Sequence, residues 1–426
     1  MAHDFVLDSR LKGFPLHALP CALSQLGDRG WHLLKGDLSF PVAVLRRSAL
    51  MHNLAWMQDF VKRKGVALAP HGKTTMSPEL FGMQLQAGAW GMTFANVHQL
   101  QVGLAAGAQR AIIANQLVAD ADLDGLHHLL HQYPQAKVWF LVDSLAQLQA
   151  LADWGARRNN DRCWDVLLEM GIAGYRTGCR TEAQALSLAQ AIAASSVARL
   201  GGVECYEGGL GRCDSAHDIE AVSALVRTVQ SLVQQIDVRN LWGNEEVLLS
   251  AGGSAVFDLV IPMLKLQVNS RPVQGVLRSG CYVTHDHWNY ARYLKLVEQR
   301  EGLNASLLPA LEVWAVVQSV PEPGLAILSA GRRDLSFDQC MPMPVRWAAH
   351  GQSGSNLIQP SPSSWQVKAL SDQHAHMVFD TDGHWPQVGD RVALGISHPC
   401  TTFDKWRWMP IIEDDGRISG AISTHF

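Results

Sequence analysis

The chain has 426 residues, 47% of them apolar, enough to fill more than one hydrophobic core and to make two or three domains. Its net charge of −4, with acids and bases interspersed, excludes the basic footprint of a nucleic-acid binder or of a protein that docks on an anionic membrane. No run of eighteen apolar residues occurs, Met1 to Phe5 carry no basic flank before an apolar stretch, and the eight cysteines form no CxxC pair, so a cytoplasmic protein with reduced thiols is expected.

In chain order, the first strand candidate is Pro41–Leu45, which has no place inside an eight-strand closure and is expected to pair into a β domain built by later residues. From about residue 66 to about 285 strand and helix patterns then alternate. The strand candidates are Val66–Leu68, Met92–Ala95, Ala111–Ala114, Val138–Val142, Val166–Glu169, Gly202–Cys205, Val247–Ser250 and Gly275–Leu277. Helical stretches such as Ser144–Arg158, Thr181–Ala194 and Ala216–Ile236 lie between them, with apolar residues recurring at three and four. Eight such units predict an α/β fold, a (β/α)8 TIM-type barrel over residues 41–290, with an open doubly wound sheet as the alternative.

The first barrel strand candidate, Val66–Leu68, runs into Pro70-His71-Gly72-Lys73-Thr74, and Ser77-Pro78-Glu79 then supply an N-cap, a proline at the first helical position and an early acid. Lys73 therefore sits at the carboxyl end of a strand, where α/β folds place their chemistry and where a lysine can act as a Schiff-base nucleophile. A GxxxxGK[ST] nucleotide loop fails on spacing, because Ala67 stands where the first glycine belongs and Pro70 removes a backbone donor. A solvated surface lysine is the other competing reading.

Polar residues follow the other strands: Asn96, Asn115, Asp143, Glu169 with Arg176, then Tyr206 and Glu207. The seventh strand enters Ser250-Ala251-Gly252-Gly253-Ser254, with a helix expected to open at Ala255, and the eighth enters Arg278-Ser279-Gly280-Cys281-Tyr282. Glycine-serine loops at these two places are where barrels hold phosphate on backbone N–H groups. A lysine on one lip and a phosphate pocket on the other is what pyridoxal 5'-phosphate needs.

Beyond about residue 300 the pattern changes to strands and turns: Leu311–Val320, Leu325–Leu328, Trp365–Leu370, His376–Phe379 and Val392–Ile396, with turns at Pro321–Gly324 and Gly351–Ser355. Residues 291–426, with 1–40, are assigned to this mostly antiparallel β domain. Within Ser397-His398-Pro399-Cys400, His398 and Cys400 are two apart, and an extended segment would send both side chains from one face. Imidazole plus thiolate is a zinc-like donor pair that leaves positions open for water or substrate. His374 and His376 share the spacing and read as β-domain surface.

These motifs, with Met170-Gly171, Tyr175-Arg176-Thr177-Gly178 and Tyr206-Glu207-Gly208-Gly209, resemble those of the fold type III pyridoxal-phosphate enzymes. The chain is most similar to the D-serine dehydratase and D-threonine aldolase family within the alanine racemase barrel group, from about Phe40 to the end. The resemblance implies that Lys73 carries the cofactor, that Arg176 contacts its phenolic oxygen, and that Gly253, Ser254, Gly280 and Cys281 hold its phosphate, with His71, Gly252 and Ser279 in the same motifs. Tyr206 by the dehydratase pattern, or Arg278 by the racemase one, would meet the pyridine nitrogen. The metal, zinc or alternatively manganese, would sit on His398 and Cys400.

The activity implied is dehydration of a D-3-hydroxy amino acid, such as D-serine, D-threonine or D-glucosaminate, to a 2-oxo acid and ammonia. Retro-aldol cleavage to glycine and an aldehyde is the alternative; Cys400 in place of an aspartate favours dehydration. Ala69, Thr75 and Met76 depart from the family pattern beside the lysine and leave the preferred substrate open. No tyrosine occurs after residue 300, which counts against a racemase with a tyrosine as second base. The resemblance also implies a homodimer.

Overall fold

The computed structural model describes residues 5–351 and 358–426. Apart from Gly351, the turn expected at Gly351–Ser355 lies outside these residues. Eight parallel strands form the barrel: Ala67–Leu68, Met92–Phe94, Arg110–Gln116, Lys137–Val142, Trp164–Met170, Ala198–Cys205, Val247–Ala251 and Val273–Leu277. From the second to the eighth, consecutive strands pair with one another, and the eighth pairs back onto the first. The first and second strands share no ladder. Their gap is bridged by Trp90 N–H to Leu68 O at 2.8 Å and Thr93 N–H to Pro70 O at 2.9 Å.

Side-chain alternation explains how the barrel fills. Ile112, Trp139, Leu141, Leu167, Leu248 and Val276 point inward as one core, while neighbours such as Ile113, Phe140 and Leu168 pack outward against the helices. Polar caps set the helix starts. Ser77, Asn96, Ser144, Thr181 and Asp214 each accept the backbone N–H three residues on, satisfying a donor that the first helical turn leaves free. The helix expected at Ala255 is not formed. Residues 252–260 stay in turns, and a single helical turn follows at Ile261–Leu264.

The second domain is built on the long strand Leu311–Glu322, which pairs antiparallel with Arg391–Gly395 and Leu325–Leu328. Val42–Arg46 pairs antiparallel with the same strand and parallel with Trp408–Ile412, so the segment before the barrel does belong to this sheet. Met343–Ala348, Trp408–Ile412 and Ile418–Ser423 are strands that the sequence pattern did not reveal. Among the described residues no helix is long and apolar enough to cross a membrane.

Helix Arg47–Lys64 leaves the β sheet directly and packs on the barrel. Its Asn53 is fully buried: Nδ2 donates to Val283 O at 3.1 Å and Leu308 O at 2.7 Å, and Oδ1 accepts from Leu308 N–H at 2.7 Å. One amide thus ties the helix to the turn after the eighth barrel strand and to the approach to the β domain. Asn53→Ala strands these buried groups and is expected to lower stability by about 2–3 kcal/mol. An unchanged urea midpoint would show that water replaces the amide at no cost.

Candidate active site

Pro70 and His71 carry the chain across the closed first strand, and Gly72–Thr74 then form a 3-10 turn. That turn turns Lys73 into a cavity of about 280 Å³ at the carboxyl ends of the strands. Burial lowers the Lys73 pKa, the nearby Arg176 and Arg278 act the same way, and the Cys400 and Cys281 thiols oppose them. An amine that loses its proton more readily is the better nucleophile and base. His71 lines the same cavity, and its burial keeps the imidazole neutral.

On the facing lip, the two glycine-serine loops lie side by side. Gly280 is required sterically, since a Cβ there would stand 2.4 Å from His71 O. Ser254 Oγ accepts the Cys281 N–H at 3.2 Å. Ser279 does not line the cavity; its Oγ donates to Gly253 O at 2.7 Å and braces one loop against the other from behind. The N–H groups of Gly252 and Gly253 are already engaged, donating at 3.0 and 2.7 Å to the two oxygens of the buried Glu207 carboxylate. The resemblance implies that Gly253 holds phosphate, with Gly252 in the same motif. Here they are fixed by Glu207, and among the described residues the N–H groups of Ser254 and Gly280 have no hydrogen-bond partner.

Arg176 and Tyr206 meet across the mouth, with the guanidinium 4.3 Å from the ring centroid. Arg278 is buried, donating from Nη1 to Ser250 Oγ at 2.9 Å and from Nη2 to Cys205 O at 3.2 Å and to Glu204 Oε1. Glu204 was not singled out from the sequence. It sits inside a strand that reads as apolar filling, and only the inward alternation with Tyr206 could have flagged it. Burial pushes its pKa up to about 7 although Arg278 pulls the other way. Glu169 also lines the cavity, accepting from Gln116 Nε2 at 2.5 Å and Thr177 Oγ1 at 3.0 Å. Asn115 lines it too, whereas Asn96 is a helix cap and Asp143 accepts from Gly178 N–H at 2.9 Å.

His398 and Cys400 open on this cavity from the β domain, but not from an extended segment. Cys400 begins the short helix Cys400–Phe403, so a change of chain direction, not strand alternation, brings the two side chains to one space. Asp338 Oδ2 accepts from His398 Nδ1 at 2.6 Å, which leaves Nε2 with a lone pair to offer. Cys400 Sγ lies 3.6 Å from Thr74 Oγ1 and 3.9 Å from Cys281 Sγ; hydrogen bonding from Cys281 and Thr74 outweighs burial and lowers its pKa to about 7. His374 and His376 do not line the cavity, and His376 meets Ser371 Oγ. Among the described residues no cluster of three or more His, Cys, Asp or Glu side chains could hold a metal.

A family model of the alanine racemase N-terminal domain matches residues 45–257, half of the chain, and a serine dehydratase domain model matches residues 310–412. The chain is 28% identical over 406 residues to D-threo-3-hydroxyaspartate dehydratase of Delftia sp. (strain HT23), covering 89% of this chain and 96% of that one. It is 26% identical over 383 residues to a D-threonine aldolase of Arthrobacter sp., covering 88% and 89%. The fold matches the crystal structure of D-threonine aldolase from Filomicrobium marinum with a TM-score of 0.75 at 23% identity, covering 92% of this chain and 97% of that one.

Glu207 gives this site a property that can be measured. Glu207→Ala frees two buried N–H groups and loosens the loop that carries Ser254. Binding of pyridoxal phosphate, titrated by protein fluorescence, is expected to weaken about 10- to 100-fold, the equivalent of about 1.5–3 kcal/mol for charged hydrogen bonds. Unaltered affinity would mean that the carboxylate only fills space.

Proposed function

This chain belongs to the alanine racemase N-terminal domain family of fold type III pyridoxal-phosphate enzymes and is a lyase of that family, and we propose that it dehydrates a D-3-hydroxy amino acid to a 2-oxo acid and ammonia with a divalent metal. The observation that carries the reading is that Lys73 and the His398/Cys400 pair open on one cavity from opposite domains. The residues suit the cofactor: a buried amine on one lip, Ser254 and Gly280 N–H groups without partners among the described residues on the other, and a glycine where any Cβ would collide. Bound there, pyridoxal phosphate supplies an electron sink for charge developing at the substrate Cα. A divalent ion on His398 Nε2 and Cys400 Sγ, zinc by donor softness and manganese as the alternative, supplies a Lewis acid for the β-hydroxyl.

The protein's own groups do the rest. Lys73 Nζ, its pKa lowered by burial, takes the proton from Cα and gives it to the departing β-hydroxyl, which leaves as water. Arg176, held over the Tyr206 ring, provides fixed positive charge for the cofactor's phenolic oxygen. Asp338 holds the His398 imidazole in the tautomer that leaves Nε2 to ligate. Candidate substrates are D-serine, D-threonine, D-threo-3-hydroxyaspartate and D-glucosaminate. A cytoplasmic homodimer is part of the same proposal.

Retro-aldol cleavage on the same scaffold requires the β-hydroxyl to lose its proton and keep its oxygen; the preference for dehydration rests on Cys400. With D-threonine, pyridoxal phosphate and zinc, we expect 2-oxobutanoate and ammonia; glycine and acetaldehyde would establish the aldolase instead. Lys73→Ala is expected to lose the visible absorbance of lysine-bound cofactor and all turnover, and a retained band would move the attachment elsewhere. Asp338→Asn should weaken zinc binding about 10- to 100-fold, read by competition with a chromogenic chelator. Equal zinc affinity in the variant would take Asp338 out of the scheme.

A further inference from the structure

Among the described residues, two atoms in the cavity wall are buried without a hydrogen-bond partner: His71 Nδ1 and Glu204 Oε2. A buried acceptor with nothing to accept is costly, so each is a place where a ligand atom would be stabilised. His71 precedes Lys73 by two residues and belongs to the lysine end of the cavity. Glu204 belongs to the sixth strand, which in barrel order is separated from the lysine strand by the two strands whose loops face phosphate.

That placement fixes which ligand atom Glu204 would meet. In pyridoxal phosphate the carbon that joins the lysine lies para to the ring nitrogen, and the phosphate arm lies beside that carbon. A ring joined at Lys73, with its phosphate on the loops after the seventh and eighth strands, turns its nitrogen away from the lysine toward the sixth strand. Glu204 lies inside that strand and Tyr206 just past its end at Cys205, and both line the cavity. Arg278, the other candidate for the nitrogen, has three of the five guanidinium donors committed to Ser250, Cys205 and Glu204. The same bonds hold Glu204 Oε1 in place and so fix the direction of Oε2.

Resting on the pyridoxal-phosphate reading above, we propose that Glu204 is the partner of the cofactor's ring nitrogen and accepts a hydrogen bond from it through Oε2. A carboxylate acceptor requires the nitrogen to carry a proton, which makes the ring a stronger electron sink. Tyr206, a neutral donor, would leave the nitrogen unprotonated. Burial raises Glu204 to about 7, so its basicity is suited to sharing a proton with a ring nitrogen.

The test is the nitrogen-15 resonance of ring-labelled pyridoxal phosphate bound to the full-length protein at neutral pH, with the visible absorbance recorded in parallel. The expected result is an upfield, protonated-type resonance in the wild type and in Tyr206→Phe, lost in Glu204→Gln with about 10- to 100-fold weaker cofactor retention. An unprotonated-type resonance in the wild type, or loss of the upfield signal in Tyr206→Phe alone, overturns the proposal. Should Glu204→Gln fail to fold because Arg278 loses its partner, the wild-type and Tyr206→Phe spectra still decide it. A normal visible band with an unprotonated nitrogen removes Glu204 only; no band at all removes the cofactor reading with it.

Discussion

The closure between the first and second barrel strands is the constraint on which the site depends. The first strand contributes only Ala67 and Leu68 to the ladder with the eighth, and a two-residue strand cannot hold a barrel shut by itself. The backbone therefore continues the pairing past the strand, through Pro70 O to Thr93 N–H, while Thr93 Oγ1 donates to Ala69 O at 2.7 Å. Proline suits this stretch because it offers only its carbonyl to the neighbouring strand. Lys73 follows after three residues, so its backbone position is set by the same bonds that complete the barrel.

A second layer of order comes from buried charge. Arg278 with Glu204, and Glu207 with two glycine N–H groups, lie at the floor and behind the wall of the cavity. Such groups cost several kcal/mol to desolvate and add little stability over an apolar core. What they give is direction: each fixes a loop or an oxygen at one angle, which an apolar side chain in the same space would not do.

The two domains are joined where the chemistry is. Helix Pro78–Gln86 offers Glu79, which accepts from Ser423 N–H and Oγ at 3.0 Å, and His425 N–H donates to Met76 O at 2.9 Å. The last β-domain strand thus grips the turn just after Lys73. A rigid seam of this kind keeps His398 and Cys400 over the cavity mouth, and it lets a site made from two domains behave as one preorganised site.

Much of this was legible in the linear chain. The eight strands and their caps follow from apolar periodicity and from residues such as Ser77, Ser144 and Thr181, because those signals act within a few residues. Lys73 and the two glycine-serine loops could be found for the same reason, each being a short motif at a strand end. The tertiary structure decided what depends on distant partners. Glu204 and Glu207 gain their meaning from Arg278 and Gly252–Gly253, Asp338 from His398 sixty residues on, and Ser279 from the wall behind it. The helix expected at Ala255 does not form, and residues 254–260 stay in bends and turns. Sequence determined the elements and the position of Lys73 at a strand end, since those are local properties of the chain. Only closure of the barrel against the β domain determined which buried polar atoms face the cavity and which merely hold it in shape.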